Sequence, residues 1–162
     1  MHHSLTRTAC VVALLLVLPA LASARAQGQQ TFTGTWTRIE PPLSSDTTHV
    51  EKIDHAEPVV RVSVRKSGSA GPMGGYVYDD ERTYSIGGPP ESRTDPEGRI
   101  RTRNVHRDDR TLVLVTTTRE GANTETVRET WSLSEDGTTL TKARQITDWR
   151  GTRNERIVFQ RR

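Results

Sequence analysis

Beyond its first 30 residues the chain carries short runs in which apolar and polar positions alternate, separated by polar and turn-forming residues. No stretch keeps an apolar stripe at helical spacing for three turns. The alternating runs are short and rich in Thr, Val, Ile and aromatic residues, the side chains that suit a pleated, half-buried surface. They predict strands at Gly34 to Ile39, His49 to Ile53, Val59 to Lys66, Gly75 to Asp80, Glu81 to Ile86, Arg99 to His106, Thr111 to Arg119, Glu125 to Ser134, Thr139 to Thr147 and Arg153 to Gln160.

The punctuation between these runs sets their order in space. Asp95-Pro96-Glu97-Gly98, Asp108-Asp109, Glu120-Gly121-Ala122-Asn123, Glu135-Asp136-Gly137 and Arg150-Gly151 use residues that favour turns or tolerate positive φ. Such close spacing fits consecutive antiparallel hairpins and leaves no room for the crossovers that a parallel sheet needs. The expected fold class is all-β: an antiparallel up-and-down meander closing into a barrel, with a β-sandwich as the alternative. Glu40 to Asp46, Ser67 to Gly75 and the Gly- and Pro-rich segment Gly87 to Gly98 read as longer loops of the kind that rim a cavity mouth.

The first 26 residues have a different pattern. Arg7 precedes an apolar run from Ala9 to Leu21, and small residues follow at Ala22, Ser23, Ala24 and Ala26, the three parts of a cleaved secretion signal. The run is too short to span a membrane, which takes roughly 20 apolar residues. The lone cysteine, Cys10, sits at the front of that run, where a lipid anchor would not be placed. The expected organisation is a signal over 1–26 and one domain over 27–162, periplasmic or secreted and without disulfides. Loss of Arg7 and Arg25 takes the 23 basic residues to 21 against 20 acids. Such balance gives no general attraction to nucleic acid.

Phe32-Thr33-Gly34-Thr35-Trp36 resembles the G-x-W that opens the first strand of lipocalins and related calycin barrels, and Thr147-Asp148-Trp149 is similar to their T-D-Y. The second half resembles small exported bacterial proteins of lipocalin-like type. The resemblance implies that Gly34 and Trp36 close one end of a barrel, with Arg161 or Arg162 packed across the indole. It also implies a cavity that holds a ligand.

Chemistry is sparse. The mature chain has no thiol and only His49, His55 and His106 as imidazoles. "SGSAG" around Ser69 lacks the first glycine of a nucleophile elbow, and no phosphate-loop ending is present. His49, Asp54 and His55 match no metal-ligand spacing, and the plain reading of them is a solvated strand end. No catalytic residue, metal or cofactor is assigned. An enzyme would have to be assembled by folding, for instance from Glu129 and His106.

Binding residues are easier to nominate. In "ETVRETWSLS" alternation puts Glu129 on the face of Trp131 and Leu133, so a barrel that buries Trp131 also buries a carboxylate, which then needs an arginine or a polar ligand. Tyr76, Tyr78 and Tyr84 cluster beside the glycine-rich loop and could flank a cavity mouth. Arg99, Arg101 and Arg103 form a stripe suited to carboxylate or phosphate groups. Whether the stripe faces solvent or a cavity depends on hairpin register. A two-residue loop at Asp108-Asp109 sets Arg103 opposite Leu114, and a three-residue loop sets it opposite Val115. The leading expectation is a non-enzymatic protein holding a small apolar or amphipathic ligand, with Tyr76, Tyr78, Tyr84, Glu129 and Trp131 at the site. The alternative is an envelope-associated module that docks an anionic polymer or a protein on its arginine-bearing face.

Overall fold

The computed structural model describes residues 31–69 and 74–162; the signal read over 1–26 lies outside them. The strands are β1 (Gly34–Glu40), β2 (Thr48–Ala56), β3 (Val59–Ser69), β4 (Gly75–Ser85), β5 (Glu91–Thr94), β6 (Ile100–Asp108), β7 (Thr111–Glu120), β8 (Asn123–Leu133), β9 (Thr139–Asp148) and β10 (Gly151–Arg161). They form one antiparallel up-and-down sheet in the order β4-β3-β2-β1-β10-β9-β8-β7-β6-β5. The expected meander is present. No helix is found among the described residues.

Three sequence expectations need correction. Gly75 to Asp80 and Glu81 to Ile86 are not two strands but the single β4, because the charged run Asp79 to Arg82 stays in register with β3, from Arg65 to Val62. The segment Gly87 to Gly98 is not wholly a loop. Glu91 to Thr94 pairs with Arg103 to Ile100, so a short strand forms inside a Gly- and Pro-rich stretch. The β6–β7 turn centres on Asp109 and Arg110, with Asp109 at φ 51, which sets Arg103 opposite Thr116 and matches neither register considered from the sequence.

Ladder pairing does not join β4 to β5. The crossing segment bridges that gap with backbone bonds, Ile86 N–H donating to the Pro58 carbonyl (2.7 Å) and Gly87 N–H to the Val105 carbonyl (2.8 Å). Side chains bridge it too: Tyr84 of β4 lies beneath Arg103 of β6 and packs edge-on against Trp131 of β8.

The enclosure is filled at one end and hollow at the other. Period-two alternation turns Val60, Val62 and Val64 of β3 inward, and with them Leu112, Trp131, Leu140 and Phe159 from the facing strands. Trp36 is fully buried at this packed end, and its indole N–H donates to the Phe32 carbonyl at 3.0 Å. The Arg161 guanidinium lies 4.7 Å from the centre of the Trp36 ring. Gly34 has φ +154, and a Cβ there would come into ordinary van der Waals contact with Trp36 and Arg161. That backbone conformation favours glycine.

Candidate functional site

Between the packed end and the hollow lies a charged layer. His49, Glu51, Ile53 and His55 alternate onto the inner face of β2, so neither histidine is the solvated strand end expected from the sequence. The Lys142 ammonium donates to Glu51, and His49 Nε2 lies 3.2 Å from the same carboxylate. Lys142 also stands 3.8 Å above the Trp131 ring and 5.3 Å from that of Phe159. Burial is the largest influence on Glu51 and pushes its carboxyl up. The charge of Lys142 and the hydrogen bonds from His49 and Lys142 together outweigh it and hold the group at about 2.

Beside this layer, Glu129 of β8 is in register with Arg144 of β9 and accepts from its guanidinium and from the Trp131 indole N–H. Burial pushes Glu129 up; the charges of Lys142 and Arg144 and these hydrogen bonds pull it down further than burial raises it, so it stays ionised. The carboxylate expected inside the barrel is there, and an arginine neutralises it. His106 lies on the other side of the sheet from Glu129, because its inward neighbour on β6 is Val105. A Glu129–His106 catalytic pair is thereby removed.

Above the charged layer opens a cavity of about 740 Å³, lined by the inner faces of β4 to β9. Apolar contributions come from Leu114, Val127, Ile146 and Tyr84, and the rest of the wall is polar and charged. Burial raises the Tyr84 phenol above its ordinary value, against the opposing pull of Arg82 and Arg103. Arg82 is paired with Asp80 at 2.6 Å.

The structure separates the residues nominated from the sequence. Tyr78, Tyr84, Glu129, Arg101 and Arg103 line this cavity. Tyr76 shares an inward-facing parity with them but lies at the far end of β4, 45% exposed and against Gly68. Trp131 is 1% exposed and belongs to the packed end rather than the cavity wall. Arg99 is drawn aside by Asp95, at 2.7 Å, and by Glu97, at 3.4 Å. With Arg101 and Arg103 turned inward, the stripe does not form an outer docking face. Arg82, Arg93, Lys142 and Arg144 went unnominated. The last two were readable, since "LTKARQI" alternates Leu140, Lys142, Arg144 and Ile146 onto one face. Among the described residues no group of His, Cys, Asp or Glu is arranged to hold a metal ion.

With this geometry established, the chain can be set beside known proteins. No family model and no curated protein sequence matches it. Among solved structures, the apo form of Caenorhabditis elegans lipid binding protein 8 superposes with a TM-score of 0.54 at 12% identity, over 81% of this chain and 95% of that one. The likeness is one of fold. A Schistosoma mansoni fatty acid binding protein in complex with arachidonic acid gives a TM-score of 0.47 at 12% identity, over 83% of this chain and 98% of that one. Among the described residues the chain is all-β, one ten-stranded antiparallel up-and-down sheet in the fold it shares with the Caenorhabditis elegans protein, with a ladder that stays open between β4 and β5.

Proposed function

We propose that this chain is an exported binding protein that holds a small amphipathic ligand non-covalently in the cavity between β4 and β9. The observation that carries the reading is the cavity itself, about 740 Å³. Ligand sites run from about 300 to 1,000 Å³. Its wall combines an apolar patch at Leu114, Val127 and Ile146 with arginines and hydroxyls, which suits a molecule with one apolar and one polar part. The barrel neighbour from Caenorhabditis elegans is named a lipid binding protein, and a lipid-like ligand is the class we carry over from it. Export rests on the composition of residues 1–26, with a periplasmic or secreted location as its consequence.

Native mass spectrometry on the mature protein, purified gently from its own export compartment, tests the reading. Excess mass that vanishes on denaturation identifies a bound molecule. A bare chain that also fails to take up any alkyl amphiphile in titration overturns it.

A further inference from the structure

Three guanidinium groups meet at one place in the wall. Register sets Arg93 of β5 directly opposite Arg101 of β6, and Arg103 follows two residues on, along the same face. These three, with Thr118, line the main cavity and also a second one of about 300 Å³ beneath β5. They stand on the partition between the two chambers.

Like charges directly opposite each other on a ladder repel. A neighbouring carboxylate is the usual remedy, and all 20 acidic residues lie among the described residues. Of the carboxylates on the two cavity walls, Asp80 is engaged by Arg82, Glu129 by Arg144, Glu125 by Arg153 and Asp95 by Arg99, while Glu81 lines the main cavity without closing to ion-pair distance on any of the three arginines. Glu91 faces Arg103 in register without closing to ion-pair distance. Arg103 lies over the Tyr84 ring, its guanidinium carbon 4.9 Å from the ring centre, and among the described residues it forms no ion pair. A planar fork of donors matches the paired oxygens of a carboxylate, sulfate or phosphate.

We infer that Arg93, Arg101 and Arg103 form an anion site on this partition. It takes the carboxylate, sulfate or phosphate end of an amphipathic ligand whose apolar part lies along Leu114, Val127 and Ile146. The inference rests on the cavity being a ligand site and adds the charge of the ligand and the place of its head group.

Isothermal titration of the mature protein at low ionic strength, with dodecanoate, dodecyl phosphate, dodecanol and inorganic phosphate as separate probes, tests it. The expected result is a preference of about tenfold or more for the two charged chains over dodecanol. Arg93→Gln with Arg101→Gln should erase that preference, the affinity for the two charged chains falling by about tenfold or more relative to that for dodecanol. If the double variant does not fold, Arg101→Gln alone serves, and the charged-to-neutral ratio in the unaltered protein already decides the sign. Inorganic phosphate binding as tightly as dodecyl phosphate, with the same dependence on the arginines, would keep the anion site and make its occupant a free ion. Dodecanol binding as tightly as dodecanoate would overturn the anion site and leave the cavity reading standing. Binding of none of the four overturns both.

Discussion

Lys142 and Glu51 offer the sharpest test of the packing argument. Their side chains are 4% and 7% exposed, and each is the other's main partner. Replacing Lys142 with methionine keeps the volume beneath Trp131 but strands a buried carboxylate with only His49 beside it. Breaking a buried ion pair from one side costs about 3–5 kcal/mol. Lys142→Met combined with Glu51→Leu strands no charge and leaves only the buried His49 ring without its partner, so it should recover part of that loss even though the cation–π contact with Trp131 is gone. Urea denaturation at pH 7, read as a shift in midpoint at constant slope, gives both numbers. Acid adds an independent check. The folded carboxyl sits at about 2 against an ordinary 4.5. Because the folded value is the lower one, the stabilisation is complete above pH 4.5 and is lost as pH falls toward 2. Its size is roughly 3 kcal/mol. Relative to the unaltered protein, Glu51→Gln should therefore be flatter across that window. A single Lys142→Met cost under about 1 kcal/mol, or parallel acid curves for the two proteins, would refute the reasoning.

Further outcomes follow from the closed end and the charged layer. Gly34→Ala should cost about 1–3 kcal/mol in a thermal melt, since it adds strain at a positive φ. Arg161→Ala should cost about 1 kcal/mol, and the pair should be non-additive because both act on Trp36. Glu129→Gln leaves Arg144 without its carboxylate and should cost about 1–3 kcal/mol, with a change in tryptophan emission as the Trp131 indole loses a charged acceptor. An unchanged melt and emission would show that this ion pair contributes nothing. Trp149 is 77% exposed on the β9–β10 turn, and Trp149→Ala should leave stability within about 0.5 kcal/mol of the parent protein.

Much of the fold could be read because its determinants are local. Each hairpin carries its own turn residues, and alternation on β2, β3 and β8 reports which face is buried. β5 escaped because a strand of four residues flanked by Gly-Pro-Pro and Asp-Pro has almost no local signal and exists only through pairing with β6. The arginine site was half legible. Arg101 and Arg103 stand out along one strand, but their direction depended on which residues form a two-residue turn. Arg93 belongs to the strand that could not be seen. Tyr76 and Trp131 were nominated for chemistry that suits a cavity. Their depth along the barrel axis decides that role, and alternation reports the face of a strand but not the distance from its end.

The strand order has a consequence for how the molecule comes together. Every ladder joins strands adjacent in sequence except β1 with β10, where Arg162 bonds to Thr37 across 125 residues. Two hairpin sheets, β1 to β4 and β5 to β10, can each form by short-range search, whereas joining them requires closing nearly the whole chain on itself. That closure has the largest entropic penalty and should come last. Substitutions in the β1–β10 seam, such as Thr37→Ala, should then speed unfolding while leaving the folding rate nearly unchanged. A circular permutant opened between β4 and β5 and joined at the seam would turn this slowest encounter into one more hairpin.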